Sequence, residues 1–334
     1  MARIAINGLG RIGRAALRLI MDTPELEVVA VNDIAPADNI AYLVKYDSVY
    51  GRLAHEVSVD GDTLKVGKQS IKFLSERDPA LLPWKELNID IVIESTGRFT
   101  LKEDAGKHIE AGAKYVIISA PTKSEDVPTV VYGVSEPVGE ATIISCASCT
   151  TNSLTPVVEV IGRHFGIQKA IMTTVHAYTA GQGIVDGPDP KEVRRGRAGA
   201  INIVPASTGA AKATTLALPQ YKGKFDGVAL RVPVPVGSVS DVVFLTEKNT
   251  TPEEINKVLT DEANSKRYKG IIRTTNDPIV SSDIVGDAHA CIIDMQMTKV
   301  VDGNLVKIFA WYDNEWGYTN QMIRKAAEIA KQMK

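Results

Sequence analysis

At 334 residues, with 44% hydrophobic and 23% charged side chains, the chain has the composition of a globular protein and the length of about two domains. Lys and Arg number 38 against 40 Asp and Glu, so there is no net field to hold nucleic acid or an anionic membrane. No apolar run approaches the ~20 residues that span a bilayer, no apolar signal region opens the sequence, and three cysteines make no disulfide framework, so a cytoplasmic protein is expected.

The first half alternates short β-branched runs with helix-like segments. "RIAIN" (3–7), "EVVAVN" (27–32), "DIVIES" (90–95), "KYVIIS" (114–119) and "TIISCA" (142–147) read as buried parallel strands. "RIGRAALRLIMDT" lies between the first two, with an apolar face at Ile12, Ala15, Ala16, Leu19 and Ile20. This alternation predicts a doubly wound Rossmann-type α/β domain. It is interrupted at 51–75, where "VSVDGDTLKVG" predicts a hairpin turning at Asp60-Gly61.

Within that pattern, "NGLGRIGR" spaces Gly8, Gly10 and Gly13 as G-x-G-x-x-G between a strand and a helix. Such a turn aims backbone N–H groups at a pyrophosphate; Gly10 leaves room for close approach, and Gly13 lets the helix pack on the sheet. Asp33 ends the second strand, where a carboxylate holds the adenine ribose hydroxyls and repels a 2′-phosphate. NAD is therefore expected over NADP. An ordinary Gly-rich turn with a surface Asp is the plainer alternative.

After residue 149 the pattern changes. A helix "SLTPVVEVIGRHF" leads to the strand "KAIMTTVHAY" and a Gly/Pro/Arg-rich loop over about 179–203. Longer, antiparallel-looking strands follow: "GVALRVPVPV", "SVSDVVFLTEK", "ACIIDMQMTKVV" and "LVKIFAWYD". They are interrupted by a helix "TPEEINKVLTDEAN" with a Thr251 cap and Pro252 in its first turn. The reading is an α+β second domain with a largely antiparallel sheet. The expected boundaries are 1–148 for the nucleotide domain, rejoined by a last helix at 316–334, and 149–315 for the second.

Cys146 and Cys149 stand in "IISCASCTTN", and three readings compete. A thioredoxin-like pair sits at a helix start but close to a first βαβ unit. Half a zinc site needs two more ligands, and Cys291 with His289 or His176 matches no usual spacing; no metal is expected. The third reading separates the sulfurs. Cys146 is a buried apolar residue, whereas Cys149 lies at a strand-to-helix turn, where free N–H groups carry roughly half a positive charge and favour thiolate. A nearby imidazolium would add to that effect. His176, on the following strand, is placed to emerge at the same sheet edge as base to this nucleophile. His55, His108, His164 and His289 read as surface or satisfied histidines.

"SCASCTTN", "TTVHAYT", "STGAAKA", "GVALRVPVP" and "WYDNEWGY" together resemble the phosphorylating, NAD-dependent glyceraldehyde-3-phosphate dehydrogenases of the glycolytic type, and the similarity runs over essentially the whole chain. The resemblance implies a hemithioacetal and then a thioester on Cys149, with His176 activating the thiol and acting as base. It implies glyceraldehyde 3-phosphate and inorganic phosphate as substrates and a homotetramer, with no nucleic acid or membrane partner. Thr179, Arg195 and Arg231 correspond to the substrate-phosphate site, and Ser148, Thr150, Thr208 and Gly209 to the inorganic-phosphate site. Arg194 and Arg197 are weaker candidates. For the cofactor, Arg11 and Ile12 match backbone contacts to the pyrophosphate, Thr96, Gly97 and Ser119 line the groove, Asn314 orients the nicotinamide carboxamide and Tyr318 packs nearby.

The chain departs from that family after Thr179, where Ala180-Gly181-Gln182 replaces the usual Asn-Asp-Gln and removes an acidic side chain. The loop to Arg194 is also one residue longer, and Pro188 and Pro190 compete for a position used to exclude NADP. Erythrose-4-phosphate dehydrogenase is the nearest rival, with some of its flavour in "VVYGVS" (130–135), but Asp33, Cys146 and Thr208-Gly209 side with glyceraldehyde 3-phosphate. A non-catalytic NAD-binding regulatory protein is a reading from another class, opposed by the intact Cys149, His176 and Arg231.

Overall fold

The computed structural model describes residues 1–135, 139, 141–190 and 192–333. These divide into two compact units. One holds residues 1–130 with the described parts of 136–147 and 322–334; the other holds 131–135 and 148–321.

The first unit is built on β1 (Ala2–Asn7), β2 (Leu26–Asn32), β3 (Val57–Asp60), β4 (Thr63–Val66), β5 (Gln69–Leu74), β6 (Ile91–Glu94), β7 (Tyr115–Ile118) and β8 (Ile143–Ser145). Their order is β3-β4-β5-β2-β1-β6-β7-β8. From β5 to β8 every pairing is parallel, in the doubly wound dinucleotide-binding arrangement. The helices of this unit are α1 (Arg11–Ile20), α2 (Ala37–Lys45) and α3 (Lys102–Glu110). Val and Ile runs form the central strands because both faces are covered: Ala5, Ala30, Val92, Val116 and Ile118 pack in one core cluster with Trp84. The expected hairpin is a three-strand meander, since β4 also pairs antiparallel with β5, which continues into the parallel sheet beside β2. Its turn is Gly61-Asp62 rather than Asp60-Gly61, because Asp60 already pairs with Thr63.

The second unit carries β9 (Ile167–Ala177), β10 (Val204–Ser207), β11 (Phe225–Val232), β12 (Ser238–Thr246), β13 (Ile272–Thr275), β14 (Cys291–Asp294), β15 (Lys299–Val301) and β16 (Leu305–Tyr312). The order is β10-β11-β9-β12-β16-β14-β13, with β15 beside β16. Only the β9–β11 and β13–β14 pairings are parallel, so the sheet is largely antiparallel. Its helices are α4 (Cys149–Phe165), α5 (Ala210–Ala217), α6 (Pro252–Ala263) and α7 (Trp316–Gln332). Residues 316–321 of α7 count with this unit and 322–332 with the first.

Helix α4 fills the core of the second unit: Leu154, Val157, Val158 and Ile161 pack with Met172, Val242, Phe244 and Ile308 from β9, β12 and β16. Each such side chain, fully buried, stabilises the fold by about 1.5–3 kcal/mol. The helix starts at Cys149, four residues before its apolar run. The Ser148 hydroxyl accepts the Thr151 N–H at 3.1 Å and nucleates a polar first turn that periodicity alone does not show. Helix α6 has the Thr251–Glu254 capping box. The single strand expected over 290–301 is broken by a 3-10 turn at Met295–Met297 into β14 and β15. Helix α5 and strands β10 and β13 have no counterpart in the sequence reading; they are eight, four and four residues long, too short to establish a period.

Candidate active site

The site of the second unit starts from two structural accidents of register. Cys149 is the first residue of α4. The residue before its cap, Ala147, holds φ +56, a left-handed conformation that costs a non-glycine residue about 1–3 kcal/mol and marks a turn the surroundings enforce. His176 lies next to the end of β9, and in the parallel β9–β11 ladder it is the register partner of Arg231. The fold thereby brings Cys149, His176 and Arg231 together. Sγ of Cys149 lies 3.3 Å from His176 Nε2, and Arg231 Nη1 lies 2.7 Å from His176 Nδ1.

The protonation pattern follows from donors and acceptors. Ala177 O lies 2.7 Å from His176 Nδ1 and 3.1 Å from Arg231 Nη1, so one carbonyl accepts from both. Nδ1 also faces the donor Arg231 Nη1, so it is the Cys149 thiol hydrogen, which needs an acceptor at Nε2, that assigns the ring hydrogen to Nδ1, where Ala177 O accepts it. Burial pushes the imidazole down to about 3, and the Arg231 charge acts in the same direction. Burial pushes the Cys149 thiol up, against Arg231, the Thr150 hydroxyl and the N–H groups of Thr150 and Cys149 itself, which pull it down. Cys149 keeps one side open to solvent even though protein atoms surround its sulfur. The standing cation beside the thiol is thus Arg231, not an imidazolium. Charge separation within the pair arises only when the proton crosses from Sγ to Nε2, creating both ions side by side.

Tyr312 completes the constellation and was not singled out from the sequence. It is 1% exposed, its hydroxyl lies 2.8 Å from Thr150 Oγ1 and 2.8 Å from Thr174 Oγ1, and its ring meets His176 edge-on. The signal was available: β16 alternates part-buried and buried side chains after Leu305, and Tyr312 ends the buried face as its one polar tip. Thr150 Oγ1 thus meets Tyr312 as Ser148 Oγ caps Thr151, and each hydroxyl has further bonding capacity for a ligand.

Arg195 stands on the 3-10 turn Val193–Gly196. Burial pushes the Arg231 guanidinium down, and the Arg195 charge adds to this against the pull of the Cys149 sulfur. The Nε atoms of both arginines are buried without a hydrogen-bond partner, and so are both amide atoms of Gln182. Part-buried cations with idle donors are what an anion site presents. Thr179 is half-buried just past the end of β9, while Thr208 and exposed Gly209 stand at the start of α5, with Thr208 Oγ1 accepting the Ala210 N–H at 3.2 Å. In the altered loop, Glu192 supplies negative charge near Arg231 and receives the Ser207 N–H at 3.0 Å. Of the weaker candidates, Arg194 is exposed and Arg197 pairs with Asp186 at 3.0 Å.

Asn314 is fixed in the same unit. Its Oδ1 accepts from Ser238 Oγ at 2.9 Å and Gly237 N at 3.1 Å, so the amide nitrogen is oriented as the free donor. Asp313 holds the turn around it by accepting the N–H groups of Gly286, Glu315 and Trp316. Tyr318, four residues further on in the first turn of α7, is buried at 4% exposure.

The first unit contains a cleft of about 300 Å³ lined by Gly8, Gly10, Asp33, Ile34, Arg77 and Thr96 among others. A Cβ on Gly8 would lie 2.8 Å from Thr96, and one on Gly13 would lie 2.0 Å from Gly8 O, whereas Gly10 faces open space. Those contacts explain why the turn needs glycine and leave a cradle above α1. Asp33 is held rigid, Oδ2 by the Leu9 N–H at 2.7 Å and Oδ1 by the Ala35 N–H at 2.9 Å. Arg11 and Ile12 open α1, and the Arg11 side chain turns away to Asp47 at 2.5 Å. Thr96 and Ser119 lie just past the ends of β6 and β7, their N–H groups bound to Glu94 Oε1 and Glu94 O, and Gly97 follows with φ +69.

All three cysteines are free. Cys146, buried just past β8, has its thiol pushed up to about 12 by burial. Among the described residues no three His, Cys, Asp or Glu side chains converge as a metal site would require. His108 and His164 do have neighbours, Glu94 at 3.0 Å and Glu262 at 3.1 Å, that sequence distance concealed.

Two family models match this chain. Glyceraldehyde 3-phosphate dehydrogenase, NAD binding domain, covers residues 2–102, and glyceraldehyde 3-phosphate dehydrogenase, C-terminal domain, covers residues 148–314. The glyceraldehyde-3-phosphate dehydrogenase of Streptomyces coelicolor is 50% identical over 335 residues, spanning 99% of each chain. That of Geobacillus stearothermophilus is 50% identical over 331 residues, 98% of each, and glyceraldehyde-3-phosphate dehydrogenase 1 of Bacillus subtilis 49% over 332 residues, again 98% of each.

Proposed function

Because the chain belongs to the glyceraldehyde-3-phosphate dehydrogenase family, we propose that it converts D-glyceraldehyde 3-phosphate, inorganic phosphate and NAD to 1,3-bisphosphoglycerate and NADH through intermediates on Cys149. The observation that carries this reading is the contact of Cys149 Sγ with a neutral His176, 3.3 Å apart, beside two arginines whose Nε donors are idle.

The geometry supplies each step. His176 Nε2 accepts the thiol proton as Sγ adds to the aldehyde carbon and passes it to the carbonyl oxygen, giving a hemithioacetal hydroxyl and a neutral imidazole again. The N–H groups at the start of α4 face the oxygen that gains charge. His176 then takes the hydroxyl proton while the carbon gives up hydride, leaving a thioester. Phosphate attacks that carbonyl, the C–S bond breaks, and the acyl phosphate leaves with Sγ restored as thiolate. Arg231, Arg195 and Thr179 hold the substrate's phosphate, and Ser148, Thr150, Thr208 and Gly209 form the pocket of the attacking phosphate, each charge-assisted bond contributing roughly 1.5–3 kcal/mol.

The cleft residues fit NAD: the Gly10 cradle is open, the α1 N–H groups are free of a side-chain cap, and the rigid Asp33 carboxylate stands at the strand end. NAD, when bound, supplies the hydride acceptor. Gly8, Gly10, Arg11, Ile12 and Gly13 hold the pyrophosphate by their backbone and Asp33 the ribose, while Thr96, Gly97 and Ser119 line the groove. Asn314 gives its amide hydrogen to the carboxamide, with Tyr318 behind it. No described helix is long and apolar enough to cross a membrane, and cytoplasmic work fits the free thiols.

The test is the initial rate of NAD reduction with glyceraldehyde 3-phosphate, with and without inorganic phosphate. NADH production that depends on phosphate is expected. Its absence in folded, thiol-reduced protein, or a higher kcat/KM with erythrose 4-phosphate, would overturn the assignment.

A homotetramer is part of the proposal. On the sheet face away from α4, Ile171, Val228 and Leu305 are exposed, and the 179–203 loop separately exposes Ile184, Val185, Val193, Ile201 and Ile203. Two distinct apolar surfaces suit two interfaces and so a dihedral tetramer. Sedimentation velocity should give the mass of four chains; a monomer at micromolar concentration would refute it.

A further inference from the structure

The carboxyl ends of the three central strands of the first sheet carry a row of polar side chains that the mechanism above does not use. Asn32 on β2, Asn7 on β1 and Glu94 on β6 are register partners, so they stand abreast, and none is more than 4% exposed. Asn32 Nδ2 donates to Asn7 Oδ1 at 2.7 Å, and Asn7 Nδ2 donates to Glu94 Oε2 at 2.6 Å.

Behind Glu94 the row continues into two side chains with no exposure at all. Trp84 Nε1, which can only donate, lies 2.9 Å from His108 Nδ1. Nδ1 therefore accepts, the hydrogen of the neutral ring sits on Nε2, and Nε2 donates to Glu94 Oε2 at 3.0 Å. With that oxygen taken by Asn7 and His108, Oε1 is left for Thr96, accepting its N–H at 2.8 Å and its hydroxyl. At the other end of the row Asn32 clasps the backbone of Glu76, donating to its carbonyl at 2.9 Å and accepting its N–H at 2.8 Å.

Thr96 and Glu76 both line the 300 Å³ cleft, as do Asn7 and Asn32, whereas Glu94, His108 and Trp84 do not. We infer that this row is a positioning device for the dinucleotide: Glu94, aimed by His108 and Trp84, fixes the spacing between the wall at 76–77 and the wall at 95–99. An apolar strand end of equal volume would fold as well, since burying a carboxylate and its partners is no route to extra stability. What the polar row adds is direction: every donor and acceptor in it is committed to named partners within the row or on the two walls, so the walls have one separation.

The inference rests on the reading of this cleft as the NAD site, and the experiment separates the two. NAD affinity is measured by calorimetry, with KM and kcat for both substrates, on the full-length protein and on Asp33→Ala, Glu94→Gln and Trp84→Phe. Glu94→Gln keeps the shape but puts an NH₂ where an acceptor is needed; Trp84→Phe removes the donor that aims His108 together with part of the buried ring. Glu94→Gln is expected to raise the Kd and KM for NAD about tenfold or more and Trp84→Phe about fivefold, with kcat falling by less and KM for glyceraldehyde 3-phosphate unmoved. If Asp33→Ala weakens NAD and these two variants do not, or if they depress kcat and both KM values alike, the row is packing only and the inference falls. If Asp33→Ala itself leaves NAD affinity unaltered, the cleft reading fails and takes the inference with it. Should Glu94→Gln not fold, Trp84→Phe decides alone.

Discussion

Serine at position 149 is expected to lower kcat/KM for glyceraldehyde 3-phosphate by about 10⁴-fold or more, leaving thermal stability near that of the parent. The change replaces one atom at a site half open to solvent and removes neither the Ser148 cap nor any of the core contacts of α4. What it removes is the only group at that position that ionises readily and then leaves again from a carbonyl. A serine oxygen paired with a neutral His176 is a weaker nucleophile, and an ester, once formed, resists attack by phosphate far more than a thioester does. Stopped-flow NADH formation with mass spectrometry of the quenched enzyme reads both steps: no burst and no acyl adduct on residue 149. Turnover within a hundredfold of the parent would show that the covalent step belongs elsewhere.

The fold was legible where the chain obeys one period for long enough. The β1–β2–β6–β7 strands are β-branched runs buried on both faces, and their alternation with helices left one sensible architecture. It was illegible where a local interaction overrides the period. The start of α4 at Cys149 depends on a serine hydroxyl, the break between β14 and β15 on a 3-10 turn inside an apolar run, and β13 on a four-residue parallel pairing to a strand sixteen residues further on.

The site divides in a similar way. The Gly8-Gly13 turn and Asp33 follow from spacing, because a strand–turn–helix fixes where they go. Cys149 and His176 could be matched because a thiol at a helix start calls for a base nearby, but the expected shared sheet edge does not exist: β8, which leads to Cys149, is in the first sheet and β9, which carries His176, is in the second. The neighbour relation of His176 and Arg231 could not be seen, since 55 residues separate them and only the β9–β11 register joins them. The expectation of an imidazolium beside the thiol missed the charge of Arg231 for that reason. Glu94 escaped for a further reason: a polar residue at a strand end reads as a surface group until the neighbouring strands are known, and its partners His108 and Trp84 come from a helix and a loop.

Replacing His176 by glutamine should cost about 10²–10⁴-fold in kcat/KM, the range for losing a positioned general base. The same variant reports on the thiol. In the parent, burial holds the Cys149 thiol up against Arg231, Thr150 and the helix-start N–H groups, while His176 Nε2 lies 3.3 Å away as receiver of its proton. Only thiolate reacts with iodoacetamide, so the alkylation rate rises with pH through the thiol's ionisation. Taking away the proton receiver leaves burial in place, so the ionisation must move to higher pH, with a slower rate at neutrality and convergence with the parent at alkaline pH. The imidazole's own depression to about 3 adds a second sign: His176 is already neutral throughout the working range, so the variant loses no acid-side protection. A profile displaced downward, or one that never converges, would mean that His176 holds the thiol by packing rather than by its lone pair. An unchanged profile with the loss in kcat/KM intact would confine His176 to the oxidation of the hemithioacetal and leave the activation of Cys149 to Arg231 and the first turn of α4.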